Sequence, residues 1–425
     1  MISIIHKADC CGCGACQQRC PKQCISMQED QEGFLYPIVD EEDCTNCGAC
    51  EKVCPLLGTV AKSDIIEVLA AKNSHEDERM LSSSGGVFFP LAKTVISRGG
   101  VVFGALFDED WMVVITYAET LEGVKPMVGS KYLQASAGTS YQDAERFLKQ
   151  GREVLFCGSP CQIAGLKKYL RKDYPNLLAV DFLCHGVPSP GVWRRYIYED
   201  VLKESARRVA AGKNTVLSSS LNSMPVITGI EFRDKTFYGW KKYSFVVRQR
   251  SVLQADKNTV LLSDIHRNNP FMRGFLHNIY LRPSCYECRC KNGVSNSDLT
   301  IGDFWGIDTL VPDFDDDKGV GLVVISSIKG KSAFNALDMD TLPFSMGVVF
   351  PLNGGFMEKM PVHPNRIDFF IAYAKGESVS VTVERLLRIP FYRRIFGFIK
   401  RCIRKIMPNV IVRLVKKQLL KCNCL

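Results

Sequence analysis

The sequence predicts a mixed α+β or α/β protein in three parts: a small cysteine-rich module, a mixed α/β domain behind it, and a basic helical tail. Three observations predict this. Two four-cysteine runs fill the first fifty-five residues. Apolar strand-type segments then alternate with helical ones across Ser, Gly and Pro turns. Twelve Lys and Arg with no acid crowd residues 385–425. With 425 residues and 46% hydrophobic content, the chain can build one small module plus one or two domains with real cores.

In the front part, Cys10, Cys13, Cys16 and Cys20-Pro21 are answered by Cys44, Cys47, Cys50 and Cys54-Pro55, each set reading C-x2-C-x2-C-x3-C-P. That is the spacing of a bacterial two-cluster ferredoxin, and residues 1–57 resemble one. Three thiolates on one tight loop face three corners of a cubane, while the fourth, before proline, points to the other cluster. Cys10, Cys13, Cys16 and Cys54 are therefore assigned to one [4Fe-4S] cluster, and Cys44, Cys47, Cys50 and Cys20 to the other. Gly12, Gly14 and Gly48 suit a backbone wrapped round a cubane. Zinc sites and disulfides are the rival readings of C-x2-C pairs; the duplicated run with both prolines speaks against them. Cys11 and Cys24 lie outside the spacing and are read as dispensable.

No charged n-region followed by an apolar h-region opens the chain, and no stretch reaches eighteen uninterrupted apolar residues. The expectation is a cytoplasmic protein without a membrane span, in which nineteen cysteines serve as metal ligands rather than as a disulfide framework. The net charge of +9 belongs to the tail, since the first 384 residues carry −3. The body gives no electrostatic reason to expect nucleic-acid binding. In the tail, basic residues interleave with apolar ones around Pro390 and Pro408. Basic amphipathic helices there would lie on the inner face of an anionic membrane or dock a partner.

A linker over residues 58–64 leads to a strand at 65–71. The Ser82-Ser83-Ser84-Gly85-Gly86 turn then opens a helix with Val87, Leu91, Val95 and Ile96 at helical spacing. Residues 101–107 and 112–117 read as a strand pair, and 139–150 as a helix. A strand at 153–156, the Gly158-Ser159-Pro160 turn and a helix at 161–170 follow. The strand at 177–183 ends at Cys184-His185 and precedes a helix at 192–202. Residues 213–223, rich in Ser and Asn, read as a mobile loop. Residues 230–233 and 244–247 are strand-like, 263–276 helical, and 299–305 and 320–325 strands again.

Residues 65–330 resemble the beta-subunit family of coenzyme F-420 hydrogenases and dehydrogenases. The matching stretches are Ser83-Ser84-Gly85-Gly86, Gly129-Ser130-Lys131-Tyr132, Gly158 to Leu166, Cys184 to Pro190, Phe232-Arg233-Asp234-Lys235, Ser284 to Cys288, and Asp298 to Gly306. The two-cluster module is the family's usual N-terminal fusion. Within the domain, a first part covers residues 65–150 and a second 151–330; an extension over 331–384 precedes the tail over 385–425. The resemblance implies a flavin, FAD or FMN, and an iron-sulfur cluster exchanging electrons with it, which makes this a flavin-binding domain. It does not fix the substrate.

Ser84, Gly85 and Gly86 form a Ser/Gly turn opening a helix, whose free N–H groups suit a flavin phosphate; an ordinary strand-to-helix turn is the competing reading. Lys131, Gly158 and Gln162 become cofactor contacts through their matched stretches. Asp303 and Trp305 would meet the isoalloxazine, or else pack in the core. His185, after a strand end, is a candidate proton donor, or else a structural histidine. Cys161, Cys184, Cys285 and Cys288 all stand in matched stretches, on three segments that could hold a third [4Fe-4S] cluster. Cys157 and Cys290 are read as neighbours, with Cys290 the first substitute.

The expected function is an iron-sulfur flavoprotein oxidoreductase. Electrons would pass from a donor protein or partner redox subunit through the clusters to the flavin. From there they would reach a small-molecule acceptor, coenzyme F-420-like or another organic compound. The alternative is a non-catalytic electron-transfer subunit of a larger redox complex.

Overall fold

The computed structural model describes residues 1–58, 61–210, 225–251 and 257–388. The loop expected at 213–223 and the basic tail beyond residue 388 lie outside the described residues. Met1–Val383 form one compact unit. Glu384–Leu425 form a second, of which only the end of the helix Val379–Leu386 and two further residues are described.

The N-terminal module is an antiparallel hairpin, β1 (Ile25–Glu29) and β2 (Leu35–Val39), with two short helices, Ala15–Arg19 and Ala49–Lys52. Each helix starts inside a four-cysteine run, directly after a left-handed glycine: Gly14 at φ 74° and Gly48 at φ 70°. A side chain is strained in that conformation, so the glycines let the chain curl round the cysteines and then enter the helix.

Behind it come β3 (Glu67–Asn73), β4 (Val101–Phe107), β5 (Val113–Ala118), β6 (Val154–Gly158) and β7 (Leu177–Phe182). Next are β8 (Ile227–Asp234), β9 (Ser244–Arg250) and β10 (Asn258–Ile265), which form a separate antiparallel sheet. Last are β11 (Leu299–Asp303), β12 (Gly321–Ile325) and β13 (Met339–Pro343). The main sheet runs β13-β3-β12-β11-β7-β6-β4-β5. Its centre, β11, β7, β6 and β4, is parallel, and both flanks are antiparallel. Parallel neighbours need crossovers, supplied by the helices Ser140–Lys149 and Pro160–Leu170. The central strands are covered on both faces, which is why Val154, Leu155, Phe156 and Leu177 to Val180 read as unbroken apolar runs and are buried. The stretch read as an extension supplies edge strand β13.

One expected element is corrected. Residues 263–276 are not one helix: β10 runs to Ile265, and the helix is only Pro270–Leu276. Pro270 sits at the first helical position, and Asn269 caps it by accepting from the Met272 N–H at 3.0 Å. A residue before proline disfavours the helical region, so no helix runs through this point. The helix expected at 192–202 begins at Pro190 and continues with π-type bonding over Tyr196–Lys203. Among the described residues no helix is long and apolar enough to cross a membrane.

Candidate functional site

The parallel strands β6, β7 and β11 end on the same edge of the sheet, where open α/β sheets bind ligands. Beyond β6 lies Cys161, beyond β7 Cys184 and His185, and beyond β11 Trp305. Cys161 is the second residue of the helix Pro160–Leu170. There Ser159 and Gln162 form a reciprocal capping box, and Ser159 Oγ lies 3.2 Å from Cys161 Sγ. Cys285 rides on the tight turn Pro283–Glu287, and its sulfur accepts from the Val187 N–H at 3.4 Å.

These segments close on one cavity of about 510 Å³, including its opening to solvent. Its walls carry six cysteines: Cys11 from the N-terminal module, and Cys161, Cys184, Cys285, Cys288 and Cys290 from the core. Burial pushes Cys285 up to about 12, and it raises Cys184 well above the ordinary thiol range, with Cys285 adding to it. Cys161 is raised first by its contact with Cys11 and then by burial. Thiols so placed resist ionising beside one another, whereas a coordinating metal deprotonates a thiol outright. Among the described residues no three Cys, His, Asp or Glu side chains close on one point as ligands of a single ion would. Six cysteine sulfurs, with His185 and Glu287 also on the wall, are a donor set rich in the thiolates that hold iron-sulfur groups.

In the module, Cys20, Cys44, Cys47 and Cys50 line a second cavity of about 330 Å³. Cys24 lines it too, 3.4 Å from Cys20. Cys10, Cys13, Cys16 and Cys54 form the other neighbourhood. Burial first, then the sulfurs of Cys10 and Cys54, pushes Cys16 up to about 12. Cys13 feels both Cys16 and Cys54. Both outsiders of the spacing, Cys11 and Cys24, therefore sit on cavity walls, whereas Cys157 lines neither cavity and packs against the core on β6. The sixteen described cysteines are free thiols. Module and core meet tightly: a Cβ on Gly165 would come within 3.0 Å of Cys13 Sγ, and Gln18 accepts from the Tyr141 N–H at 2.9 Å.

The remaining residues singled out in the sequence have partners inside the fold. Ser84 Oγ donates to the carbonyls of Val320 (2.9 Å) and Gly302 (3.2 Å). A Cβ on Gly85 would strike the Ala71 carbonyl, while Gly86 turns the chain at φ 82°. Lys131 Nζ donates to the carbonyls of Pro126, Val128 and Gly129 at 2.7–3.1 Å. Gln162 spends its carbonyl on Ser159 and its amide on the Ala135 carbonyl, while Gly158 lies close against its side chain. His185 Nε2 lies 2.6 Å from Asn278 Oδ1 on the wall of the six-cysteine cavity, and burial lowers its pKa. Asp303 holds Arg233 and accepts from Trp240 Nε1 at 2.8 Å, and Trp240 stacks flat on Trp305 at 4.9 Å.

Arg233, Arg79 and Trp240 were missed in the sequence. Arg233 is 6% exposed, yet its Nε and Nη2 have no partner, and neither has Nε of Arg79. Unpaired buried guanidinium nitrogens are costly, and the Trp305 ring stands 5.5 Å from the Arg233 guanidinium carbon. The Phe232-Arg233-Asp234-Lys235 stretch was the available signal.

Residues 151–345 match the family described as the C terminus of the coenzyme F-420 hydrogenase/dehydrogenase beta subunit, and residues 9–56 match the 4Fe-4S dicluster domain. A chain of the xenon-derivatized F-420-reducing [NiFe] hydrogenase complex from Methanosarcina barkeri is similar at 15% identity and a TM-score of 0.44. The match covers 71% of this chain and 90% of that one. No curated protein matches. On these matches, residues 151–345 carry the C-terminal domain of the coenzyme F-420 hydrogenase/dehydrogenase beta-subunit family and residues 9–56 a 4Fe-4S dicluster domain.

Proposed function

We propose that the chain is an iron-sulfur flavoprotein oxidoreductase that accepts electrons from a donor protein or partner redox subunit and delivers them in pairs to a small organic acceptor, coenzyme F-420-like or related. The observation that carries this reading is the six-cysteine cavity, because Cys11 of the dicluster module and five core cysteines wall the same chamber. Cys161, Cys184, Cys285 and Cys288 are the proposed ligands of a third cluster, with Cys11 and Cys290 within its walls. Cys10, Cys13, Cys16 and Cys54, and Cys20, Cys44, Cys47 and Cys50, are the proposed ligands of the module's two. When bound, the clusters carry single electrons and the flavin, FAD or FMN, makes the two-electron conversion.

The protein's own part is to hold and to shield. The capping box of Ser159 and Gln162 orients Cys161, and the turn Pro283–Glu287 presents Cys285 and Cys288. Arg233 would take an anionic part of the flavin or the acceptor, with Trp305 beside it. His185 remains the candidate proton donor on the cavity wall. A second reading is a non-catalytic electron-transfer subunit. It is favoured by the internal partners already satisfying Ser84, Lys131, Gln162 and Asp303. Anaerobic purification with flavin analysis and turnover on a soluble two-electron acceptor decides: stoichiometric flavin with turnover supports the enzyme, and iron without flavin supports the carrier.

A further inference from the structure

We infer that Arg282 raises the reduction potential of the site formed by Cys10, Cys13, Cys16 and Cys54. This inference rests on the iron-sulfur reading above. Arg282 is a core residue, 0% exposed, whose guanidinium enters the N-terminal module. Nε donates to the Cys10 carbonyl at 2.8 Å, Nη1 to Gln134 Oε1 at 2.9 Å, and Nη2 to the Leu35 carbonyl at 2.9 Å. Nη2 also lies 3.6 Å from Cys10 Sγ, and the Tyr36 ring stands 4.2 Å from the guanidinium carbon.

None of these partners is a carboxylate, and among the described residues Arg282 enters no ion pair. The carboxylates of the adjoining hairpin turn, Asp30 and Glu32, are engaged by Lys7 at 3.2 Å and Arg366 at 2.5 Å. A fully buried guanidinium without a counter-charge is expensive. The titratable groups that face it are the sulfurs of Cys10, Cys11 and Cys285, together with the Tyr36 hydroxyl. The loop is shaped to admit it: a Cβ on Gly12 would come within 2.7 Å of Nη1 and 2.6 Å of Gln134 Nε2.

The missing counter-charge is therefore the thiolate-ligated cluster itself. Fixed positive charge and hydrogen bonds to sulfur favour the more negative, reduced form and raise the potential. The same residue's backbone binds the other cysteine site, its N–H donating to the Val187 carbonyl and its carbonyl accepting from the Cys285 N–H, both at 2.9 Å. Arg282 thus makes the module cluster nearest the core a better electron acceptor than the same site would be without its charge.

The test is an anaerobic redox titration followed by EPR on the full chain, with the cluster signal assigned by its loss in Cys54→Ala. Arg282→Gln removes the charge. Gln134→Glu keeps the arginine and neutralises it with a carboxylate at Nη1. In each variant the reduced-to-oxidised ratio of this cluster at the wild-type midpoint should fall about tenfold, equivalent to about 59 mV for one electron. The signal of the site at Cys20, Cys44, Cys47 and Cys50 should hold its midpoint. Iron-loaded Arg282→Gln with an unmoved midpoint overturns the inference. Should that variant fail to load iron, an unmoved midpoint in Gln134→Glu overturns it, and a lowered one supports it. A wild-type protein that binds no iron overturns the iron-sulfur reading itself.

Discussion

The buried guanidinium of Arg233 is held by the carboxylate of Asp303, whose other oxygen accepts from Trp240 Nε1 at 2.8 Å. Only 2% of the Arg233 side chain and 16% of that of Asp303 are exposed, so the pair ties β8 to the end of β11 inside the protein. Breaking a buried pair from one side leaves the other charge uncompensated, at about 3–5 kcal/mol. Asp303→Ala is expected to lower unfolding stability by about that amount in denaturant titrations. The double variant Arg233→Met/Asp303→Ala is expected to lose less, because no orphan charge remains.

The crossed cysteine grouping makes a separate prediction. Cys54 closes the second run in sequence but neighbours Cys10, Cys13 and Cys16 in space. Cys54→Ala should abolish the EPR signal of that cluster and leave the signal of Cys20, Cys44, Cys47 and Cys50. Loss of the latter signal instead would show that the ligation is not crossed.

Legibility in the sequence followed the range of the interactions. Ligand spacing within each run is local, and so are the apolar runs of β6 and β7, so both could be read directly. The apolar residues at 260–276 fitted either period, and only the stop at Asn269-Pro270 separates β10 from its helix. Arg282 reaches Cys10 across 272 positions, and Arg233 reaches Asp303 across 70; no local pattern encodes such contacts. Cys11 was set aside because it breaks the spacing, yet its thiol meets Cys13 of the first run and Cys161 of the core, a pairing across 150 positions that no local spacing encodes. Gln162 read as a cofactor contact because a capping amide and a ligand-binding amide look alike in a matched motif.

Asp181, on β7, is 2% exposed and accepts from Thr300 Oγ1 at 2.5 Å and Ser295 Oγ at 2.6 Å. Burial outweighs these bonds and raises its pKa from 3.8 to about 6. A carboxyl raised in the fold keeps its proton where the unfolded chain has lost it. Its stabilising contribution is therefore complete below 3.8 and is lost as pH rises through about 6. At about 1.4 kcal/mol per pH unit, the window amounts to about 3 kcal/mol. Denaturation of wild type and Asp181→Asn between pH 4 and 7 should show this fall in wild type and its loss in the variant.

The third iron-sulfur cluster proposed for the core cavity, beside the two of the module, is measured by counting iron in anaerobically reconstituted protein, with EPR spin quantitation alongside. Three cubanes require about twelve irons per chain, against about eight for the module alone. Because Cys11 and Cys290 share the cavity walls, the informative variant removes two separate segments at once, Cys184→Ser with Cys285→Ser. Wild type should hold about twelve irons and the double variant about eight, with the module's two signals intact. About eight irons in both proteins would contradict the third cluster.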